Sequence, residues 1–327
     1  MPWEVRYQHG VNLPQIGCWL DAQRSQHRSF VSHAHADHLA PHREIIATRA
    51  TASLMRLRMP GKRRETILDY GQVWPAEFGC EVKLYPAGHI LGSAMFHGTT
   101  EHGRLLYTGD FKLRPSPAAE PCATPRSDVL IMETTFGLPR YVFPPQEEIE
   151  RAIVDFCRQA LADKVAPVLY AYSLGKTQEL LQIVGRAGLP AMLHAQGFKM
   201  TQRYAELGMK LPPFSLLNES AYAGHVIITP PTSGPAGPLA WIHPKRTAIA
   251  SGWAMDRGAI YRNGCDAAFP LSDHADFPDL LAFVEKVQPK LVYTLHGFAK
   301  EFAGTLRARG IEAWAIGQGN QMDLALD

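Results

Sequence analysis

Short apolar runs of strand length recur along this chain, and many of them stop at a side chain able to bind a metal. GCWLD ends in Asp21, RSFVSH in His33, and VKLYPAGH reaches His89. RLLYTGD ends in Asp110, DVLIMET carries Glu133, and KLVYTLH stops at His296. Length and composition predict a strand for each run. Side chains at the ends of neighbouring strands gather along one rim of a sheet, and loops carried by a rigid sheet are where sites usually sit.

The middle of the chain has another rhythm. APVLYAYSLGKTQELLQIVGRAG predicts a strand, a turn at Gly175 and Lys176, and an amphipathic helix. LPAMLHA, GHVIITPP and RTAIASG predict three further buried strands, and EEIERAIVDFCRQALA a helix among them. Strands alternating with helices imply a parallel sheet with helical crossovers, hence an α/β class. Pro-rich borders stand at GLPRYVFPP and in TPPTSGPAGP. The expected organisation is an outer domain of residues 1–138 and 269–327 with residues 139–268 inserted in it; the outer part resumes at FPLSDHADF.

Composition alters this picture little. A chain of 327 residues is more than one compact core usually needs, in keeping with an insertion. The formal charge of +2 neither demands nor excludes a nucleic-acid partner, because local patches matter more than the sum. Cys18, Cys80, Cys122, Cys157 and Cys265 lie far apart with no C-x-x-C spacing, which argues against a disulfide framework or a thiolate zinc site. The opening MPWEVRYQHG lacks the apolar core of a signal peptide, and no run approaches 18 apolar residues. The expectation is therefore a cytoplasmic protein with no membrane partner.

Histidine is what stands out, and SHAHADHLAPH (residues 32–42) is its densest stretch. Neutral imidazole and carboxylate suit zinc and manganese. In H-x-H, alternate residues of an extended segment aim two rings, His33 and His35, at one ion. Asp37 and His38 come next, where a helix is expected to begin in ADHLAPH, and they point to a second ion beside the first. A two-metal site needs a group bridging ions roughly 3.5–4 Å apart. Asp110 suits the bridge, and His89 and His296 complete the two shells. His42, His97, His102, His194, His225 and His243 have no such context and are expected to be structural.

SHAHADHL resembles the signature of the metallo-β-lactamase fold, an αββα sandwich with metals at one edge. The likeness continues in order through AGHILGSAMF, YTGDFKLRP, METTFG, LSDHADF and TLHGF. That series resembles the β-CASP nucleases, which carry an α/β cap inserted in the lactamase-type domain. METTFGLPRY, SGWAMDRGA and PLSDHADFPDLL are most similar to the bacterial DNA ligase-associated DNA exonucleases. The resemblance implies two divalent ions, zinc or manganese. His33, His35 and His89 would hold one, Asp37, His38 and His296 the other, and Asp110 would bridge them. Asp21 matches the family's first acidic position and would support a ligand histidine by a hydrogen bond.

The same resemblance implies a phosphodiesterase in which a metal-bridging hydroxide attacks phosphorus in line with the leaving oxygen. His274 of SDHAD, paired with Glu133, is the candidate proton donor to the leaving group, or else steadies charge on the phosphate. Ser173 and Lys176, at a strand–helix turn, and Ser251, Gly252 and Trp253, after a cap strand, are candidate substrate contacts, with Trp253 able to stack on a base. Arg56, Arg58, Lys62, Arg63 and Arg64 form a basic run suited to a nucleic-acid backbone or to solvent. The expected substrate is DNA rather than RNA, in a repair setting that includes a ligase and a helicase. Against DNA, RNA-cutting relatives carry histidine at the position of His296, and Glu133 also resembles the RNA-type motif, so an RNA-processing nuclease is the alternative. A small-molecule metallohydrolase is a more distant one, since lactam or thioester opening does not need the Glu133–His274 pair.

Overall fold

The computed structural model describes residues 3–231, 239, 241–256 and 258–317. Most of TPPTSGPAGP, and Arg257 of SGWAMDRGA, lie outside them. The chain divides into two compact units, Met1–Val142 with His274–Asp327, and Phe143–Asp273. These joins fall a few residues after the positions 138 and 268 expected from the pattern of the sequence. The class is mixed α/β, with three sheets among the described residues.

The first unit holds two sheets. In one, Arg6–Tyr7, Val11–Leu13, Cys18–Leu20, Arg28–Phe30, Glu44–Ala47 and Arg64–Ile67 lie in chain order. The other runs Glu312–Ala315, Leu291–Leu295, Val129–Glu133, Gly103–Tyr107, Ala94–Thr100, Cys80–Pro86 and Trp74–Ala76. Its first four strands are parallel and the rest antiparallel. Period-two alternation assigns the faces. Leu105, Tyr107, Val129 and Ile131 meet Leu20, Phe30 and Ile46 of the first sheet in one apolar cluster. The alternate residues Leu106, Leu130 and Met132 turn to the other face. There they pack with Leu280, Phe283 and Val284 of helix Phe277–Val287 and with Phe302 and Leu306 of helix Ala299–Ala308. Val31, Ile45 and Ala47 likewise pack with Ala52 and Met55 of helix Arg49–Arg58. Strands buried on both faces read as continuous apolar runs, which is why they are legible in the sequence.

The second unit holds a six-stranded, wholly parallel sheet. The expected strands appear at Ala166–Tyr170, Ala191–Leu193, Val226–Thr229 and Lys245–Ala250, and the expected helices at Gln146–Ala162 and Lys176–Arg186. Ile149, Ile153 and Cys157 lie on one stripe of the first of these helices and pack with Leu180, Leu181 and Val184 of the second, over Leu169 and Ala248 of the sheet. All five cysteines are free thiols. Among the described residues no helix is long and apolar enough to cross a membrane.

One local expectation fails. ADHLAPH does not open an α-helix: Ala36–His38 is a single 3-10 turn, and Leu39 is extended at φ −111° and ψ 135°. Pro41 would lack a donor in a continuing helix and disfavours helical geometry at the residue before it. The short turn leaves His38 buried while Asp37 projects outward, its side chain 72% exposed.

Candidate metal centre

The predicted residues of the first unit converge at strand ends. Arg28–Phe30 runs into Ser32 and His33, Gly103–Tyr107 into Asp110, Val129–Glu133 into Thr134, and Leu291–Leu295 into His296. Two glycines permit this closeness. A Cβ on Gly109, at φ +56°, would lie 2.5 Å from the Ser32 Cβ, and one on Gly297, at φ +55°, would lie 2.5 Å from the Thr135 Cα. Only glycine accepts both the left-handed backbone and the contact. The Thr134 hydroxyl donates to the His296 carbonyl at 2.7 Å, so the METT turn holds the backbone of TLHGF.

His33, His35, His89 and Asp110 each offer a ligand atom within 4.8 Å of the others. Asp110 Oδ2 lies 3.5 Å from His33 Nε2, 3.3 Å from His38 Nε2 and 3.9 Å from His89 Nε2. His89 Nε2 is 3.0 Å from His35 Nδ1. Asp110 thus faces both halves of the expected ligand set. On the second half, Asp37 Oδ2 is 3.6 Å from His38 Nε2, and the rings of His38 and His296 are 6.1 Å apart. Asp37, His38 and His296 border one small cavity. Asp37 and His296 fall outside the tightest groupings of ligand atoms.

The donor set suits a divalent ion. His33 is wholly buried, and its Nε2 has no hydrogen-bond partner among the described residues. An orphaned buried donor or acceptor costs about 1–3 kcal/mol unless something meets it. Its other nitrogen is held, with Nδ1 2.9 Å from Ser32 Oγ. His38 has the same design: Nδ1 sits 2.8 Å from Asp21 Oδ2 while Nε2 turns to Asp110. A ring fixed through one nitrogen presents the other, as a metal-binding imidazole requires. Asp21 therefore touches His38, a histidine of the expected ligand set.

Charge is unevenly distributed in this cluster. Burial alone would raise the Asp110 carboxyl, but His38, hydrogen-bonded to it, together with His274 and His33 holds it well below the usual carboxylate range. Burial pulls His33 well below the ordinary imidazole value, and His38 and His89 add to that. His296 is lowered by burial, against the pull of Asp110. His38 opposes the trend: burial works to lower it, yet Asp110 and Asp21 raise it well above 6.5. Asp110 thus stays a carboxylate, and His33 and His296 are shifted toward the neutral form, the state in which an imidazole binds metal.

Glu133 and His274 are also brought together. Glu133 is 1% exposed, and its Oε1 lies 2.8 Å from His274 Nδ1. The same oxygen accepts the Phe111 N–H at 3.1 Å, and Oε2 accepts the Thr135 N–H at 3.1 Å. The Ala275 N–H donates to the Phe111 carbonyl at 2.8 Å. Arg114 bonds to Asp276 and, at 3.2 Å, to Asp279, tying down the start of the next helix. The His274 ring ends 4.9 Å from that of His89, and Asp110, Glu133 and His274 offer ligand-type atoms within 4.8 Å of one another.

The other candidates lie in the second unit. Trp253 is 48% exposed, Ser173 and Ser251 are half-buried and Gly252 is buried. Ser251 Oγ accepts the Trp253 N–H at 3.3 Å. Lys176 departs from the expectation of a phosphate contact. It is 1% exposed, with Nζ 3.1 Å from Glu179 Oε2 and 3.5 Å from Asp273 Oδ1. A buried ammonium needs such partners, so its charge is used internally. The backbone amides of that turn are also engaged, Gly175 N–H with Gln178 Oε1 and Thr177 N–H with the Tyr172 carbonyl. In the basic run, Arg56 pairs with Glu65, Arg63 bonds to the Met59 carbonyl, and Arg58 donates to the Ala34 carbonyl at 3.1 Å.

Sequence reasoning does not single out Ser32, Tyr107 or Arg114. The only signal is position, since each lies within four residues of an expected ligand or second-sheet motif. Of the histidines expected to be structural, His194 caps helix Ala195–Glu206, and buried His42 accepts the Gln26 N–H at 3.1 Å.

No family model matches the chain. It is 55% identical over 329 residues to a protein of Opitutus terrae named Probable DNA ligase, a match covering all of this chain and 32% of that protein. A Transcription termination factor FttA of Pyrococcus abyssi is 34% identical over 121 residues, 36% of this chain and 19% of the relative. An RNase J-like protein of Methanocaldococcus jannaschii is 29% identical over 177 residues, 47% of this chain and 42% of the relative. The chain therefore spans less than half the length of each of these curated relatives. A crystal structure of a protein of unknown function from Enterococcus faecalis V583 matches with a TM-score of 0.62 at 14% identity, covering 90% of this chain and 80% of that one. That likeness is one of fold alone.

Proposed function

We propose that the chain is a β-CASP nuclease, a two-metal phosphodiesterase that cleaves nucleic acid and acts as a DNA exonuclease in repair. The unit of two sheets is then the αββα sandwich of the metallo-β-lactamase fold, and Phe143–Asp273 its β-CASP cap. One observation carries the reading. Buried His33, His89 and Asp110, with His35, form one nitrogen-and-oxygen donor set, and Asp110 also faces His38.

In this reading His33, His35 and His89 would hold one ion and Asp37, His38 and His296 the other, with Asp110 available to either. Bound zinc or manganese ions would acidify a water and neutralise charge growing on a phosphate oxygen. The chain supplies the rest. Glu133 accepts from His274 Nδ1, which keeps the ring oriented so that Nε2 can deliver a proton to the leaving oxygen. Three further donors from Phe111 and Thr135 hold Glu133 as a carboxylate acceptor. Trp253, exposed in the cap, is suited to stack on a base, and Ser173, Ser251 and Gly252 are further candidate contacts. Lys176 has no part in substrate binding here.

DNA is favoured by the likeness, over all of this chain, to part of the Opitutus protein, whose name also motivates a ligase, with a helicase, as partners in the same repair setting. The RNA reading draws on an observation of its own, the likeness to an RNase J-like protein together with a histidine at position 296. Digestion of end-labelled single-stranded DNA and RNA of matched sequence, with added manganese or zinc, separates the two. The expected result is metal-dependent shortening of DNA from one end. Faster digestion of RNA overturns the DNA assignment, and inertness toward both, with hydrolysis of a chromogenic lactam or thioester, overturns the nuclease itself.

A further inference from the structure

Alternation along Gly103–Tyr107 turns Tyr107 toward the first sheet, opposite to Leu106. There its side chain is 1% exposed, and its hydroxyl donates to Asp21 Oδ2 at 2.9 Å. The same oxygen accepts from Ser32 Oγ at 2.5 Å and from His38 Nδ1 at 2.8 Å, while Asp21 Oδ1 accepts the Ser32 N–H at 2.7 Å. Four donors thus converge on one carboxylate, about the number of lone-pair sites that it offers. Burial and Asp21 keep the Tyr107 phenol protonated, hence a donor. Three residues further on, the same strand end supplies Asp110.

We propose that Tyr107 is a positioning residue for the ion of Asp37, His38 and His296, acting through Asp21, and that Ser32 ties this ion site to that of His33. This rests on the two-metal reading above. Tyr107 touches neither a ligand nor a reacting atom. It fixes the Asp21 carboxylate, which fixes the His38 ring and so the direction of Nε2. A small cavity lined by Tyr7, Asp21, Gln23, His38, Tyr107 and His296 lies beside this chain of contacts. Without the phenol oxygen, Asp21 gains freedom to swing toward that space. Ser32 differs because its hydroxyl touches both Asp21 and His33 Nδ1.

The two roles predict different signatures. Outer-shell partners of metal ligands typically contribute about 10–100-fold in metal affinity or activity. Metal-stripped full-length protein, titrated with manganese by calorimetry and chelator competition, should bind two ions. Tyr107→Phe should weaken one of them by about 10–100-fold and spare the other, whereas Ser32→Ala should weaken both. In a His35→Ala background, Tyr107→Phe should weaken the ion that remains; in a His296→Ala background it should change nothing. Melting of the metal-free proteins separates positioning from packing. A lower melting temperature with both affinities unchanged overturns the proposal, as does equal weakening of both ions by Tyr107→Phe. Wild-type protein that binds no ion overturns the two-metal reading and this inference together.

Discussion

The loops after the strands of the two units stand at equivalent places, yet they dispose of their polar side chains differently. In the unit of two sheets, His33 and His38 are each held through Nδ1 by an oxygen, and both Nε2 atoms turn to Asp110, at 3.5 and 3.3 Å. In the unit of the parallel sheet, the strand–helix turn at Gly175 closes on itself. Gln178 takes the Gly175 amide, and Glu179 and Asp273 take the Lys176 ammonium. Both turns sit at the carboxyl ends of parallel strands, a common address for sites. Address alone therefore does not make a site; the first loop gathers ligand-type atoms around Asp110, whereas the turn at Gly175 pairs its own polar groups.

The largest effects should come from breaking the open arrangement. His35→Ala or Asp37→Ala should abolish cleavage and lower the metal content measured by elemental analysis, since each removes a proposed ligand. Full activity with undiminished metal would take that residue out of the centre. His274→Ala should keep the metal and lose about 10²–10⁴-fold in turnover, the usual contribution of a positioned proton donor. Single-turnover kinetics on an end-labelled strand measures this, and wild-type rates would remove His274 from the chemistry.

The closed turn should respond in stability instead. Lys176→Met leaves the buried Glu179 and the half-buried Asp273 carboxylates without their cation and should destabilise the protein by about 3–5 kcal/mol in urea unfolding, with metal content unchanged. Weaker binding of phosphate-containing oligonucleotides at unaltered stability would instead restore Lys176 as a substrate contact. The smallest effect sharpens the contrast within the first unit. Burial lowers His42 to about 4 from an ordinary value near 6.5. The folded state then binds fewer protons than the unfolded state between these values, so the stabilisation is complete above pH 6.5 and is lost as pH falls toward 4. The stability difference between wild type and His42→Gln should shrink over that window by roughly 1–3 kcal/mol, discounted for partial solvent access. A pH-independent difference would mean that His42 is not held neutral by burial.

How far the fold could be read in advance depended on burial. Val129–Glu133 and Ala166–Tyr170 are apolar on both faces and plain in the sequence. Ala94–Thr100 hides a buried His97 and a glycine, and Arg64–Ile67 is mostly polar at the edge of its sheet, so neither announces a strand. Trp74–Ala76 contains Pro75, an unpromising strand residue that an edge tolerates. The ligand candidates were legible because histidine and aspartate in H-x-H-x-D-H are scarce in any other context. Ser32 and Tyr107 were not, because their roles arise from contacts across 11 and 86 residues of chain with Asp21.

The sequence by itself determined which side chains could bind a metal, that they stand at strand ends, and that an alternating α/β segment interrupts them. Those properties are local, written in spacing, periodicity and residue chemistry. Only the tertiary structure decided which nitrogen of each ring is held and which is offered, and that Lys176 turns inward to two carboxylates. It likewise decided that a tyrosine from one sheet steadies an aspartate of the other. Such choices depend on which buried polar atoms find partners far along the chain, and burial makes each unmet atom costly enough to settle the matter.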